Sequence, residues 1–273
     1  QPLVLKSIQP VTEHQHLTFQ AYREDKHLLL SGDAGTGKTF ISLYLALRQI
    51  LKKEPDYQQI IIIRSIVPSR EIGYLPGSLK EKIGIYEDPY RIICNDLLGR
   101  GDGYEILKSK LQVSFQTTSY LRGLTFENSI VLIDEIQNLS FGELSTVVTR
   151  IGEHCRLIFC GDTKQSDLWR PEEREGIHHF LKIAKRMPSV EMIEFDVHDI
   201  VRSSFVKEFL MAEQDYRAES RRPLPARYVR RPARARRRSS SRRRSLSWME
   251  SAVVSRRVSG TPSPASIIAL PPT

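Results

Sequence analysis

Cysteine is scarce in this 273-residue chain: Cys94, Cys155 and Cys160 are the full set, and no two stand in a C-x-x-C spacing. An odd count without that spacing supplies neither a disulfide framework nor a zinc site, so reduced thiols in a cytoplasmic protein are expected. No run of 18 apolar residues occurs, so no segment is predicted to cross a membrane as a helix. The opening stretch, QPLVLKSIQP, lacks a long apolar core and a small-residue cleavage site, which speaks against a secretory signal; it also lacks an initiator Met. The seven His residues show no metal spacing, and His178-His179 reads as a solvated helix edge. Lysine is missing from the C-terminal portion. From Arg221 onward there are 14 Arg, no Lys and a single acid, Glu250, a local charge of +13. The chain as a whole carries +9, so residues 1–220 carry −4. The basic excess that would suggest a nucleic-acid binder therefore belongs to the tail, and any basic groove elsewhere has to be local.

What is present is an alternation of two patterns. HLLLS, QIIIIR, SIVLID, RLIFCG and VEMIEF are of strand length, rich in Ile, Val and Leu, and mostly apolar on both faces, as buried parallel strands are. Helical periods lie between them: Phe40, Leu43, Leu47, Ile50 and Leu51 share one helix face, as do Val201, Phe205 and Phe209. Such alternation predicts an α/β fold, a mostly parallel sheet with helices on both faces. No internal repeat is visible. After about Tyr216 the pattern stops, and RRPLPARYVRRPARARRRSSSRRRSLSW has no period and few large apolar residues. The chain thus divides into a folded domain, 1–217, and a tail, 218–273, that is expected to be disordered. The abrupt loss of lysine favours a reading-frame change or a fused foreign segment over a native RNA-binding arm as the origin of that tail.

The stretch GDAGTGKT comprises Gly32, Asp33, Ala34, Gly35, Thr36, Gly37, Lys38 and Thr39, and fits G-x-x-x-x-G-K-[ST], the Walker A phosphate loop. It follows an apolar strand and opens an amphipathic helix, the context the motif requires. Glycines at 32, 35 and 37 let backbone N–H groups converge on phosphate oxygens, aided by the helix N-terminus. Lys38 is expected on the β- and γ-phosphates and the Thr39 hydroxyl on Mg²⁺. SIVLIDEIQN, an apolar strand ending in two carboxylates, reads as a Walker B motif. There Asp134 would hold the metal through its water shell and Glu135 would polarise an attacking water. A group that activates water is of no use to an enzyme that phosphorylates a substrate, so Glu135 favours hydrolysis. In FCGDTKQSDL, Gln165 follows a strand end, where an amide can bond a γ-phosphate oxygen or the attacking water. Gln15 sits where helicase-like ATPases, which this chain resembles, place an adenine-reading glutamine, and an amide there could bond the N6/N7 edge of adenine.

These motifs, GDAGTGKT, YLRGLTFENSIVLIDEIQN and GDTKQSDL, resemble those of the PhoH family in order and spacing. IGYLPGSLKEKI at 72–83 and DVHDIVRSSFVKEF at 196–209 are also similar to family segments, and the likeness runs from about residue 7 to 216. The resemblance implies a single RecA-like ATPase core related to the first half of superfamily 1 helicases, with ATP and Mg²⁺ as ligands. It implies a bacterial or phage-infected host cell as the setting. It also singles out Arg122, in the R-G-x-T segment, and Arg202, in the closing D-[IV]-V-R motif, where a guanidinium could reach a γ-phosphate of its own or a neighbouring subunit. Two departures stand out, Ile136 where a small residue is usual and Arg64-Ser65 where Arg-Pro is frequent.

The expected activity is Mg²⁺-dependent ATP hydrolysis coupled to RNA or single-stranded DNA. Arg64, Arg70, Lys80, Lys82 and Arg91 are the local cations nearest the YLPGSLKEK segment. A helicase closes its site between two cores, and one core is present here, so a homo-oligomer, ring or dimer, is expected. Two alternatives compete: a nucleotide-gated binding protein with negligible turnover, and a small-molecule kinase.

Overall fold

A computed structural model describes residues 2–66, 79–121, 123–162, 171–201 and 204–220. Six parallel strands form one sheet: β1 (His27–Gly32), β2 (Gln59–Arg64), β3 (Val113–Thr117), β4 (Ser129–Asp134), β5 (Arg156–Gly161) and β6 (Val190–Phe195). Their order is β3-β2-β4-β5-β1-β6, so β5 separates the phosphate-loop strand from the carboxylate strand, as in a RecA-like core. The helices are α1 (Glu13–Arg23), α2 (Lys38–Ile50), α3 (Leu79–Leu98), α4 (Gly103–Ser109), α5 (Phe141–Val148), α6 (Pro171–Ala184) and α7 (Ser204–Ser220).

Alternation along each strand builds two cores, one per face of the sheet. Leu28, Leu30, Ile60, Ile62, Ile130 and Leu132 pack against α1 to α4, with Leu43, Leu47 and Tyr90 among their partners. Leu29, Ile61, Ile63, Val131 and Ile133 point the other way, onto Leu144 and Val147 of α5 and Ile177 and Phe180 of α6. Burying both faces explains why these strands read as continuous apolar runs. α2 buries Leu43, Leu47 and Ile50 of its predicted stripe, while Phe40 and Leu51 are partly buried at its margin. All three cysteines are free. Among the described residues no helix is long and apolar enough to cross a membrane.

Three features differ from expectation. β3, with sequence VSFQT, is a sixth strand that the apolar-run criterion passes over. It lies at the sheet edge beside β2, and its central residues are only half-buried, so its composition is mixed. Val201, Phe205 and Phe209 do not form one packed helix face: Val201 precedes α7, and all three are exposed. Their spacing is helical, but nothing among the described residues covers it. α7 itself continues to Ser220, beyond the expected end of the domain at 217. Residues 221–273, the Arg-rich portion of the tail, lie outside the described residues.

Candidate functional site

In a parallel sheet every strand ends at the same edge, and ligands bind in the crevice there. Here that edge collects Gly32 from β1, Arg64 from β2, Asp134 from β4 and Gly161 from β5. The register sets Arg64 opposite Asp134 and Ser31 opposite Gly161. A cavity of about 490 Å³ opens above them, lined by Gly35, Lys38, Thr39, Arg64, Asp134 and Glu135 among others.

The phosphate loop has the backbone that its glycines predict. Gly32, Gly35 and Gly37 have φ of 128°, 82° and 85°, all in the region that L side chains avoid. Gly32 has a second constraint, since a Cβ there would lie 1.9 Å from the Phe195 carbonyl oxygen on the neighbouring β6. Lys38 is buried, and its Nζ donates to the carbonyls of Gly32 (2.9 Å) and Asp33 (2.7 Å) and to Thr36 Oγ1 (3.1 Å). Burial lowers its pKa, with Cys160, Asp162, Asp134 and Glu135 opposing that effect. An anion in the loop would compensate this desolvated ammonium.

Thr39, one residue on, donates from Oγ1 to both carboxylate oxygens of Asp134, at 3.2 Å each. Asp134 also accepts from Tyr90 OH at 2.9 Å and from the Glu135 N–H at 3.0 Å. A hydroxyl beside a buried carboxylate is a hard-oxygen donor set of the kind Mg²⁺ takes, so these residues fit the ion that the motifs imply. Burial first, and the neighbouring Glu135 second, push the Asp134 carboxyl up from 3.8 to about 6. The folded protein thus holds this proton more tightly than the unfolded chain does. The associated stability is present below about pH 4 and is lost as pH rises through about 6. His27 works oppositely, because burial and Arg156 lower its pKa. Metal-free protein is therefore expected to show an Asp134-dependent fall in melting temperature between about pH 4 and about pH 6. Thermal melts of Asp134→Asn in EDTA, compared with wild type across that range, check it; an unchanged pH slope would contradict the assignment.

Glu135 adopts a left-handed backbone, φ 54° and ψ 45°, which costs a non-glycine residue about 1–2 kcal/mol. Such strain concentrates at functional sites. Its carboxylate takes a 2.5 Å hydrogen bond from Gln137 Nε2 and stands 4.0 Å from Arg64 Nη2. Gln137 in turn accepts from the Asp162 N–H at 3.0 Å, linking the ends of β4 and β5.

The structure thus brings together Lys38, Thr39, Asp134 and Glu135. Gln15 is buried on α1, where its Oε1 accepts from the Val11 N–H at 2.9 Å, and it does not line the cavity. Arg122, Gln165 and Arg202 lie outside the described residues, as does most of the IGYLPGSLKEKI segment. Val201, the residue before Arg202, comes to the loop: its Cγ2 is 3.8 Å from the position of a Cβ on Gly37. Arg91, counted above as a local cation, is bound by Asp88 and Glu105. Sequence reasoning missed Tyr90 and Gln137. Gln137 stands two residues beyond Glu135 in DEIQN and could have been suspected. Tyr90 lies 44 residues before Asp134, with no motif spacing to betray it.

Residues 7–214 match the sequence model of the family described as PhoH: PhoH-like protein. The chain belongs to the PhoH family. Among its curated relatives, a PhoH-like protein of Bacillus subtilis is 32% identical over 212 residues, covering 76% of this chain and 64% of that one. Protein PhoH of Escherichia coli K12 is 33% identical over 192 residues, covering 69% and 53%. This PhoH-family chain therefore spans between half and two-thirds of the length of those relatives. Solved structures similar to it include the large terminase of a thermophilic bacteriophage, at TM-score 0.45 and 14% identity, covering 74% of this chain and 50% of the terminase. Unliganded Pif1 from Bacteroides sp. gives TM-score 0.38 at 16% identity, covering 78% and 46%.

Proposed function

We propose that this chain hydrolyses ATP in a Mg²⁺-dependent reaction and couples it to RNA or single-stranded DNA as a homo-oligomer. The observation that carries the reading is the convergence of Lys38, Thr39, Asp134 and Glu135 on one cavity at the sheet edge. Lys38 would exchange its three loop acceptors for β- and γ-phosphate oxygens. Thr39 and Asp134 would hold the ion, which when bound offsets phosphate charge. Glu135, oriented by Gln137, would take the proton of an attacking water. The alternatives are separated by turnover. A small-molecule kinase has no use for Glu135 as a base, and a nucleotide-gated binder would hold ATP without releasing phosphate.

Coupling to a polymer rests on Arg64, which stands at the end of β2 beside Glu135 and leads into the segment at 65–78. Phosphate release measured with and without single-stranded RNA and DNA, beside size-exclusion chromatography with light scattering, tests it. Stimulation by a polymer in an assembled species is expected; a rate indifferent to both polymers would count against coupling.

Arg202 is assigned to a neighbouring subunit's site, in keeping with the homo-oligomer proposed above. Mixing Arg202→Ala with Lys38→Ala protein is expected to restore part of the activity that each lacks alone. An arginine finger contributes about 10³ to 10⁵ in turnover, so even partial recovery is measurable. No recovery in mixtures shown to co-assemble would leave Arg202 a role within its own subunit. The tail from 218 is read as lying outside the catalytic unit. Its deletion is expected to leave basal hydrolysis unchanged and to weaken nucleic-acid binding in a salt-dependent way. Loss of basal hydrolysis would place the tail within the machine.

A further inference from the structure

α3 begins just after the 65–78 segment and brings Tyr90 to the Asp134 carboxylate. Pro89 lies inside it and removes one helical N–H donor. The next residue, Tyr90, is fully buried, its ring tilted against Phe115 at a centroid distance of 5.6 Å. A buried tyrosine needs a partner for its hydroxyl. Here that hydroxyl donates to Asp134 Oδ2 at 2.9 Å, and the Arg64 guanidinium also engages it.

Three donors meet Asp134: Thr39 Oγ1, Tyr90 OH and the Glu135 N–H. Thr39 is the one that the ion would claim. The two that remain hold one oxygen each, Tyr90 on Oδ2 and the Glu135 backbone on Oδ1. We infer that Tyr90 is a positioning residue for the metal, its hydroxyl fixing the Asp134 carboxylate in the orientation that receives the ion. The inference rests on the ATP–Mg²⁺ reading above. Outer hydrogen bonds of this kind change metal affinity by about 10–100-fold when removed. α3 thereby ties the metal carboxylate to the chain that leaves β2, since Arg64 at the end of that strand stacks over Tyr86 of the same helix at 5.5 Å.

Tyr90→Phe deletes the hydroxyl and keeps the ring, so the packing against Phe115 survives. Binding of a fluorescent ATP analogue to the full chain, titrated with Mg²⁺ and with Mn²⁺, reads the effect directly. In EDTA the variant and wild type are expected to bind the analogue equally. With metal, the variant is expected to need about tenfold more ion for half-maximal binding. Phosphate release at saturating Mg²⁺ should return close to the wild-type rate, a shift in apparent metal affinity and not in turnover. Equal half-saturating metal concentrations, or a turnover loss that no Mg²⁺ concentration repairs, would overturn the inference. Thermal melts report whether the fold is kept, and Tyr90→Met, which also lacks the hydroxyl, repeats the test if the Phe variant is unstable. A wild-type protein whose analogue binding ignores metal altogether would sink the ATP–Mg²⁺ reading, and this inference with it.

Discussion

Glu135→Gln is expected to bind ATP with near-wild-type affinity and to release phosphate about 10² to 10⁴ times more slowly. Gln has the shape of Glu, and its amide oxygen can still accept from Gln137 Nε2, the 2.5 Å bond that orients the side chain. The lost feature is basicity at Glu135, a carboxylate that lines the cavity, is partly exposed to it and carries no assignment to the metal. Nothing that holds phosphate is removed, since Lys38 and the loop backbone are untouched. Phosphate release and analogue binding, measured on the same preparation, separate the two properties. A variant that keeps more than about a tenth of the wild-type rate would mean that another group activates the water.

Lys38→Ala is expected to abolish hydrolysis and to weaken ATP binding as well. The ammonium is buried and already desolvated, so its affinity for an incoming phosphate is not reduced by water that must first be shed. Alanine leaves the two loop carbonyls, of Gly32 and Asp33, without this donor, but shortening Lys38, which lines the cavity, opens room for water to reach them. The empty variant should therefore melt close to wild type. The contrast appears on adding ATP with Mg²⁺. A ligand present at about 100 times its Kd stabilises a protein by about 2.7 kcal/mol, and the variant should gain far less than that. An ATP-induced rise in melting temperature equal to that of wild type would remove Lys38 from the phosphate site.

How much of this was legible in the sequence depended on whether the signal was local. Four strands, β1, β2, β4 and β5, announced themselves because both of their faces are buried, and β6 was read from its apolar residues although it is the other sheet edge and exposes Glu191 and Glu194. β3 did not, because an edge strand with half-buried residues such as Ser114 and Gln116 looks like loop. The phosphate loop and the Asp134-Glu135 pair were legible for the same reason: each is a short contiguous string whose backbone geometry fixes its residue types. Tyr90 and Gln137 were not, because their contribution is a hydrogen bond made across the fold and their residue types serve many other ends. Val201, Phe205 and Phe209 illustrate the opposite error. Their period is real, yet period alone cannot say whether a neighbour exists to bury it, and here they remain exposed.

The central claim, that this site turns ATP over and does not merely hold it, is tested most directly by steady-state phosphate release from ATP by the full chain. The assay is run in Mg²⁺ and again in EDTA, with Glu135→Gln as the reference for contaminating activity. The account predicts release above the Glu135→Gln baseline in Mg²⁺ and none above it in EDTA. ATP that binds in Mg²⁺ yet is released intact, at a rate of hydrolysis no greater than that of Glu135→Gln, would contradict it and favour a nucleotide-gated binding protein.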